Sequence, residues 1–465
     1  MASPRFGTDG WRAVIAEEFT FDNVRRVTAG IEAALRGEGD GAIVVGHDGR
    51  FLGHRFALAV AGTLMAAGRR VVLTTEPCPT PATSCEVVAS GAPFAIVVTA
   101  SHNPSHFNGL KVKDRFGSSA GSEITAACEQ HVPDAPPALL PADEGLKRGL
   151  LSERSFFEAH RDRLARMVDL EAIRRSGLVV VNDPMHGSAG LLLERLLSGG
   201  AARVTTLHAA PDPLFGGLHP EPLEQNLTEL RDAVLSSRAA VGVATDGDGD
   251  RIGAFDEKGR FVSPLRLSPL LAWSLIKKGR RGPLGKTFAN TILLDRVARH
   301  YGLPFSTFPV GFKYIANEMK AGRMLLGGEE SGGIGVEGYI PERDGTLVSL
   351  LILQAMVDEG KPLSEMVADM GRQFGELYYT RRDLPLSPAD GKRLVEGIRK
   401  NPPKVLGGMK VTGLDDLDGL KLLFGDDGWI LFRASGTEPV LRVYSETPSP
   451  ETLERVMKEG LALIS

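Results

Sequence analysis

The stretch PFAIVVTASHNPSHFNGLKVK, residues 93–113, decides the fold because it joins a buried strand to a polar turn. Pro93–Val98 is a run of strand-type residues, and Ser101 follows almost at once. Pro104 ends the strand, since proline offers no amide hydrogen to a sheet. A serine on the turn at the carboxyl end of a buried strand lies where open α/β sheets bind ligands. Lys111 comes shortly after and can neutralise a phosphate held by that serine. An ordinary turn is the alternative for this motif alone, because Ser, Asn and Pro all favour turns.

Short β-branched runs alternate with helical patterns through most of the chain. Apolar residues recur on one face of a helix predicted over residues 22–35, and a second helix is predicted over about residues 153–168. Buried strands are predicted at residues 42–48, 70–76, 177–183 and 239–246. This alternation is typical of α/β units with a parallel sheet covered on both faces.

The end of the chain follows a different pattern. WILFRAS and LRVYSE predict adjacent strands of alternating polarity, and a helix follows with Ser449 as its cap and Pro450 at its first position. We therefore expect a smaller α+β domain there.

Composition limits the function classes. The 465 residues favour about three domains, and the formal net charge of -4 argues against nucleic acid as the main partner. Cys78, Cys85 and Cys128 have no metal-binding spacing and fit reduced, buried thiols. No apolar stretch is long enough to span a bilayer, so we predict a cytoplasmic protein without a membrane partner.

The sequence TDGDGDR, residues 245–251, predicts a metal site. Asp246, Asp248 and Asp250 alternate with glycines directly after a predicted strand. Three carboxylates on one tight loop repel each other unless a cation compensates them, and an oxygen-rich site of this kind suits Mg²⁺. A calcium EF-hand is the rival, but Arg251 stands where that motif needs its turn glycine, and both flanks resemble strands. An acidic surface turn without metal is the third possibility.

Two further loops carry polar side chains between glycines. GGEESGG, residues 327–333, offers Glu329, Glu330 and Ser331 as hydrogen-bonding groups for sugar hydroxyls, although acidic glycine loops are common. RASGTEP, residues 433–439, offers a forked cation and a small anion nest built from Arg433, Ser435, Gly436 and Thr437. A hairpin turn is the alternative for this second loop.

GPLGKT, residues 282–287, is a near miss to a nucleotide-binding P-loop. That motif needs a glycine where Arg280 stands, and a strand-like pattern follows. We therefore do not predict nucleotide binding from it.

Together these loops resemble the α-D-phosphohexomutase family over nearly the whole chain. TASHNP is similar to the family's phosphoserine loop, TDGDGDR to its metal loop, GEESGG to its sugar-specificity loop and RASGTEP to its phosphate-binding loop. RFGTDGWR, residues 5–12, resembles the family's opening motif. All five occur in the family's order.

The resemblance implies three related α/β domains with mixed sheets, plus a smaller C-terminal α+β domain, around a central cleft. An antiparallel edge strand is then expected in a sheet that the residue pattern alone predicts as parallel. We place the domains at residues 1–148, 149–254, 255–371 and 372–465, carrying in turn the phosphoserine, metal, sugar-specificity and phosphate-binding loops.

The resemblance also implies a phosphoryl-transfer reaction that interconverts sugar 1-phosphates and 6-phosphates. Phosphorylated Ser101 passes its phosphoryl group to the sugar, and a bisphosphorylated sugar forms, which also serves as activator. One Mg²⁺ per chain is expected on Ser101, Asp246, Asp248 and Asp250. The catalytic candidates are Ser101, His102, Lys111, Arg251, Arg12 and Lys313, with His102 as proton carrier. The substrate-binding candidates are Glu329, Ser331, Arg433, Ser435, Gly436 and Thr437.

The sugar loop favours glucose phosphates. Family members that act on both mannose and glucose often have histidine where this chain has Gly333, and phosphoglucosamine mutases commonly carry glutamine in place of Glu330. A phosphomannomutase or a dual mutase is the close alternative, and a phosphoglucosamine mutase a weaker one. A phosphatase or a non-catalytic sugar-phosphate sensor would be a different class. A monomer and a homodimer are both compatible with the sequence.

Overall fold

The computed structural model describes residues 4–7, 9–435 and 439–464, and these residues form four successive units, each built on one main β-sheet. Three units carry mixed sheets flanked by helices, and the fourth carries an antiparallel sheet. This confirms the predicted fold class. Among the helices of the described residues, none has both the length and the apolar character needed to cross a membrane.

The first unit has a six-stranded sheet in the order β1-β5-β4-β2-β3-β6. Strands β4, β2, β3 and β6 run parallel, whereas β5 and β1 are antiparallel to their neighbours, as the resemblance implied. The central strands are buried along their whole length because helices cover both faces. The strands are β1 (Trp11–Val14), β2 (Ile43–His47), β3 (Val71–Thr74), β4 (Phe94–Val98), β5 (Phe107–Asp114) and β6 (Leu151–Arg154), and the helices are α1 (Phe21–Leu35), α2 (Gly53–Ala66), α3 (Thr80–Ser90), α4 (Ser122–Gln130) and α5 (Ala142–Lys147).

The second unit has a five-stranded sheet in the order β11-β10-β9-β7-β8. β9, β7 and β8 are parallel, and β10 turns back antiparallel to β9. The metal loop is therefore the connection between two antiparallel strands. The helices are α6 (Phe157–Ala165), α7 (Leu170–Arg175), α8 (Leu192–Leu197) and α9 (Thr228–Ser237), and the strands are β7 (Val179–Asp183), β8 (Arg203–Thr206), β9 (Val241–Thr245), β10 (Ile252–Asp256) and β11 (Phe261–Val262).

Strand pairing extends the first two units beyond the predicted boundaries. The helix predicted over residues 153–168 begins only at Phe157, because Leu151–Arg154 pairs in parallel with β3 as the last strand of the first sheet. The predicted boundary at residue 254 would cut β10, which pairs with β9 and β11 in the second sheet. We therefore propose that the first domain includes Arg154 and the second includes Val262.

The third unit has a four-stranded sheet in the order β13-β12-β14-β15, with β15 antiparallel. The P-loop-like stretch forms β12 here, and its Lys286 donates to Asp295 at 2.6 Å, so it is a structural strand and no phosphate loop. The strands are β12 (Leu284–Thr287), β13 (Phe305–Phe308), β14 (Leu326–Gly328) and β15 (Ile334–Val336), and the helices are α10 (Pro264–Lys277), α11 (Leu293–His300), α12 (Phe312–Lys320), α13 (Gly345–Glu359) and α14 (Leu363–Phe374).

The fourth unit is the smaller α+β domain that the sequence predicts. Its five-stranded sheet, in the order β16-β22-β21-β20-β19, is antiparallel throughout, and β17 and β18 pair separately as a two-stranded antiparallel sheet. Ser449 caps the last helix by accepting from the amide of Thr452, as expected. The strands are β16 (Tyr378–Pro385), β17 (Val405–Leu406), β18 (Met409–Lys410), β19 (Gly413–Asp415), β20 (Leu420–Leu423), β21 (Trp429–Ala434) and β22 (Val440–Thr447), and the helices are α15 (Pro388–Lys400) and α16 (Pro450–Ala462).

Candidate active site

Ser101 lies just beyond the carboxyl end of β4 and is buried, with only 1% of its surface exposed. Its backbone adopts a left-handed conformation with φ of 53°, which is uncommon for a residue with a side chain. The hydroxyl Oγ donates a hydrogen bond of 3.0 Å to Oδ2 of Asp246. The structure thus brings the predicted phosphoserine loop and the predicted metal loop into direct contact.

The loop between β9 and β10 gathers three fully buried carboxylates, those of Asp246, Asp248 and Asp250. One oxygen from each lies within 4.8 Å of the others. Asp246 Oδ1 accepts the amides of Asp250 and Arg251, which fixes the curl of the loop. Both flanks are strands of one sheet, so the EF-hand alternative is wrong.

The donor set of this cluster fits a hard divalent cation. Oδ1 of Asp248 and Oδ1 of Asp250 are buried and have no hydrogen-bond partner among the described residues. Buried carboxylate oxygens without partners are costly unless a cation compensates them. Together with Asp246 Oδ2 and the hydroxyl of Ser101, they offer an all-oxygen donor set of the kind that Mg²⁺ prefers.

Lys111 partly balances the negative charge of this cluster. Its Nζ lies 2.8 Å from Asp248 Oδ2, 3.0 Å from Asp250 Oδ2 and 3.0 Å from Asp9 Oδ2. Burial by itself lowers the pKa of Lys111, but the carboxylates outweigh it and raise that pKa, so the ammonium stays charged. The sequence predicts that Lys111 can neutralise a phosphate on Ser101; in the structure its ammonium, carried on β5, pairs with these aspartates.

Asp246 has the opposite environment. Burial, followed by the charges of Asp250 and Asp248, raises the pKa of Asp246 well above its ordinary value. A nearby cation stabilises the ionised form of a carboxyl group, and this matters most where burial and like charges make that form costly. A cation at this cluster would therefore relieve charge repulsion that Lys111 leaves uncompensated.

His102 and Arg12 lie beside Ser101. Nδ1 of His102 is 3.4 Å from Ser101 Oγ. Burial, then the charges of Arg251 and Arg12, lowers the pKa of His102 well below its ordinary value, so its imidazole is neutral near pH 7. Arg12 donates to Asn103 Oδ1 at 2.8 Å, on the same turn as Ser101.

Arg251 follows the last aspartate and is only 9% exposed. Its Nη1 pairs with Glu221 Oε1 at 2.8 Å. The guanidinium is thus held at the edge of the cluster by a carboxylate from the connection between β8 and α9. Its Nε is buried and has no hydrogen-bond partner among the described residues, so it is available to an anionic group.

The sugar-specificity loop connects β14 to β15. Glu329 is buried, and its amide donates to the carbonyl of Gly333, which closes the turn. Burial raises the pKa of Glu329 to about 7, against the lowering effect of the nearby Arg343 charge. Ser331 is half-buried on the same turn.

Sequence reasoning missed Arg343, which connects three domains. Its guanidinium contacts Asp9 Oδ2 at 2.8 Å, Asp250 Oδ2 at 2.7 Å and Glu329 Oε2 at 3.2 Å. Asp9 belongs to the opening motif, in which only Arg12 was selected. The one sequence signal that points to Arg343 is its position directly before Asp344, the aspartate that caps helix α13.

The fourth domain presents Arg433 and Ser435 at the end of β21. Arg433 Nε pairs with Asp418 Oδ2 at 3.0 Å, and Asp418 also accepts the amide of Val310 at 2.8 Å. Ser435 is buried and donates its amide to the carbonyl of Val440. Gly436 and Thr437 lie outside the described residues.

Lys313 is half-buried at the start of α12, with Nζ 5.2 Å from the centre of the Tyr314 ring. Among the described residues, no hydrogen bond or ion pair joins Lys313 or Arg433 to Ser101 or to the aspartates of the metal loop. The structure therefore brings together Ser101, His102, Lys111, Arg12, Arg251 and the three aspartates, with Glu329 linked to them through Arg343.

Four family models match successive parts of the chain. They describe domains I, II, III and the C-terminal domain of phosphoglucomutase/phosphomannomutase, and match residues 3–136, 158–259, 266–374 and 393–462. The chain belongs to the phosphoglucomutase/phosphomannomutase family. It is accordingly an intramolecular phosphotransferase of the α-D-phosphohexomutase type, which confirms the resemblance and the enzyme class.

Individual relatives of this phosphohexomutase carry different substrate names. A phosphoglucomutase/phosphomannomutase of Thermococcus kodakarensis is 32% identical over 99% of this chain and 98% of its own. A phosphoglucosamine mutase of Halorhodospira halophila is 31% identical over 95% of this chain and 92% of its own. The crystal structure of a Thermus thermophilus protein that bears the name phosphomannomutase superposes with a TM-score of 0.89 at 36% identity, covering 100% of this chain and 99% of that one. The family is shared, whereas the sugar differs from one relative to the next.

Proposed function

We propose that this phosphohexomutase interconverts glucose 1-phosphate and glucose 6-phosphate through a phosphoserine at Ser101. The observation that carries the proposal is the contact of 3.0 Å between Ser101 Oγ and Asp246 Oδ2, inside a buried cluster with two unpartnered carboxylate oxygens. A reactive hydroxyl at the edge of a cation site is the arrangement that phosphoryl transfer needs, because its transition state spreads charge over phosphoryl oxygens.

One Mg²⁺ per chain would be held by Ser101, Asp246, Asp248 and Asp250. Such an ion supplies positive charge to a phosphoryl oxygen. Arg251 and Lys111 add further positive charge from the protein around the serine.

The reaction proceeds in two transfers. A sugar hydroxyl attacks the phosphorus on Ser101, the bond between Oγ and phosphorus breaks, and a bisphosphorylated sugar leaves a free serine. The attacking hydroxyl loses one proton and the departing Oγ takes one up; His102, with Nδ1 3.4 Å from Oγ, is the group best placed to carry the proton to and from Oγ. The intermediate then turns over, and its other phosphate returns to Ser101.

The turning step needs a second anchor and a tolerant sugar site. Arg433 and Ser435, with Gly436 and Thr437, are proposed to hold the phosphate that is not reacting. Glu329 and Ser331 are proposed to bind sugar hydroxyls in both orientations, and Lys313 to contact the sugar from α12. Closure of the fourth domain would exclude water, which otherwise hydrolyses the phosphoserine.

The sugar loop supports glucose. A Cβ atom added at Gly333 would lie 2.3 Å from Arg343 Cδ and 2.8 Å from Glu329 Oε2. The histidine that members acting on both sugars often carry at this position therefore requires Arg343 to move. A phosphomannomutase or dual activity is the alternative, followed by a phosphoglucosamine mutase. A cytoplasmic location and a monomeric or homodimeric state stay predictions of the sequence.

The deciding experiment compares kcat/KM on the 1-phosphates of glucose, mannose and glucosamine, with a trace of bisphosphorylated sugar as activator. We expect the highest value for glucose 1-phosphate, and equal values for mannose would contradict the glucose assignment. Intact-mass analysis should find phosphate on the parent and none on Ser101→Ala, which should lose nearly all turnover. Full activity of Ser101→Ala would end the phosphoserine proposal, and release of inorganic phosphate in step with turnover would indicate a phosphatase.

A further inference from the structure

Arg50 supports the phosphoserine loop by donating hydrogen bonds to backbone carbonyls of that loop. It is only 3% exposed. Nη2 donates to the carbonyl of Ser101 at 2.7 Å and to that of Asn103 at 2.6 Å. Nη1 donates to the carbonyls of Pro104 at 2.9 Å and Phe107 at 3.0 Å. One guanidinium thus satisfies the carbonyls that this irregular turn cannot pair within the sheet.

The turn needs such support because Ser101 is held in an unfavourable backbone conformation. A left-handed φ of 53° persists in a residue with a side chain only where surrounding contacts enforce it. The carbonyl of Ser101 is itself one of the groups that Arg50 binds. The direction of the reactive Oγ therefore depends on contacts that do not involve the reaction.

Asp48 fixes Arg50 and Ser101 at the same time. Its Oδ2 lies 3.2 Å from Arg50 Nε and accepts a hydrogen bond of 2.6 Å from Thr99 Oγ1. Thr99 Oγ1 in turn accepts the amide of Ser101 at 2.9 Å. A closed circuit of buried groups thus runs from the guanidinium through a carboxylate and a hydroxyl to the serine backbone.

A second domain completes the support. The ring of Phe215, fully buried, lies 4.8 Å from the Arg50 guanidinium, so the cation rests against an aromatic face. A Cβ atom added at Gly247 of the metal loop would lie 3.3 Å from the same ring. Phe215 thus packs between Arg50, which supports the serine turn, and the loop that carries the aspartates.

We propose that Arg50 is a positioning residue that aims Ser101 Oγ at the aspartate cluster by binding the turn's carbonyls with its planar fork. The inference rests on the proposed phosphoserine role of Ser101. Lysine cannot replace Arg50, because an ammonium lacks the rigid fork that reaches several acceptors in one plane. Arg50 touches no reacting atom, so its loss should affect turnover more than substrate binding.

The test compares Arg50→Lys with the matched variant Arg26→Lys. Arg26 is also a buried arginine of the first domain, 8% exposed, and it donates to a carbonyl, that of Pro133, away from the serine. Both variants keep the charge. Steady-state kcat and KM for glucose 1-phosphate, circular dichroism and the phosphate content of Ser101 are measured for each, with Ser101→Ala as the baseline.

We expect Arg50→Lys to lose about 10- to 100-fold in kcat with KM within about twofold of the parent, since a small misplacement of a reacting group costs rates of that order. Arg26→Lys should keep the parent kcat. A folded Arg50→Lys protein with parental kcat overturns the inference, as does an equal loss in Arg26→Lys. If Arg50→Lys does not fold, Thr99→Val decides: a fall of about tenfold in kcat supports the circuit, and parental kcat refutes it.

The outcomes separate the inference from the proposed function. If Ser101→Ala remains active, the phosphoserine proposal fails, whatever Arg50→Lys does. If Ser101→Ala is inactive and folded Arg50→Lys is fully active, only the positioning role fails.

Discussion

The two carboxylate oxygens of Asp248 have different environments. Its Oδ2 accepts from Lys111 Nζ at 2.8 Å and from Thr80 Oγ1 at 2.6 Å, whereas Oδ1 is buried without a partner among the described residues. Burial by itself raises its pKa, but the Lys111 charge and the hydrogen bonds from Lys111 and Thr80 lower the pKa of Asp248 below its usual value. Asp248 therefore stays ionised, with Oδ2 held by hydrogen bonds and Oδ1 available to an ion.

Replacing Asp248 with Asn should weaken the response to Mg²⁺. The amide keeps the shape but loses the charge that an ion needs, so the half-activating Mg²⁺ concentration should rise by at least about 10-fold, since loss of a group that only supports a metal ligand already costs that much. A Mg²⁺ titration of activity at saturating substrate measures this half-activating concentration. Asp256→Asn is the control, because Asp256 is a buried carboxylate of β10 that accepts the amides of Lys258 and Arg260 away from the cluster. An unchanged Mg²⁺ response in Asp248→Asn would refute the metal assignment.

The sequence predicts some of these residues and not others for a physical reason. Ser101 and the three aspartates follow strands on glycine- or proline-marked turns, so local pattern alone places them at a sheet edge. Arg343 and Arg50 carry no such pattern. They act on groups far away in the chain, Asp9 for Arg343 and the carbonyl of Ser101 for Arg50, and those contacts exist only in the folded protein. The spacing of residues in the sequence does not show which distant charged groups the fold will bury against each other.

At the scale of elements, the metal loop rests on the start of helix α13. The amide of Gly345 donates to the carbonyl of Gly249 at 2.9 Å, and Asp344 caps the helix by accepting the amide of Leu347. A Cβ atom at Gly345 would lie 2.3 Å from the carbonyl oxygen of Arg251. Only glycine allows this close approach, so the third domain directly supports the loop of the second.

The Gly345→Ala variant should therefore lose both stability and Mg²⁺ affinity. Overpacking against a backbone carbonyl costs about 1–3 kcal/mol of unfolding free energy, and the shift of Arg251 displaces the metal loop. Gly397→Ala in α15 is the matched control, because nothing lies within 4 Å of the added atom there. That control should gain up to about 1 kcal/mol from helix propensity. Thermal melts and Mg²⁺ titrations of both variants measure the effects, and equal behaviour would contradict the role of this contact.

Element boundaries show where sequence patterns carry too little information. The buried strands β2 and β4 are apolar and β-branched, so they were predicted, whereas β6 reads LSER and only its Leu151 is buried. A polar edge strand has no periodic signal, and its pairing with β3 depends on the rest of the sheet. The predicted helix consequently began too early.

At the scale of the whole molecule, a mixed apolar and charged contact joins the third and fourth domains. Lys421 of β20 is 4% exposed, and its Nζ lies 4.1 Å from the ring centre of Phe288 and 4.2 Å from that of Trp429. Its ammonium also donates to the carbonyl of Phe288. Arg433 stands on the adjacent strand β21, so this contact helps to set where the phosphate-binding loop lies.

Burial, followed by the nearby charge of Lys286, lowers the pKa of Lys421 to about 7, from an ordinary value of 10.5. Between these two pH values the unfolded chain holds a proton that the folded protein lacks, so this group makes stability rise with pH from about 7 to 10.5. Below pH 7 both states are protonated, and the full cost of burying the charge is present.

Lys421→Met should therefore stabilise the protein most below pH 7. We expect an increase in unfolding free energy of about 1–3 kcal/mol at pH 6, the usual cost of a buried polar group, and a gain that shrinks as the pH rises toward 10.5. Chemical denaturation at pH 6, 8 and 9.5 measures the profile. Lys410→Met, at an exposed position of the same domain, should show no pH-dependent gain. A loss of stability in Lys421→Met that stays constant from pH 6 to 9.5 would contradict this expectation, because it would mean that the amine stays charged and is favourably bound between the two rings.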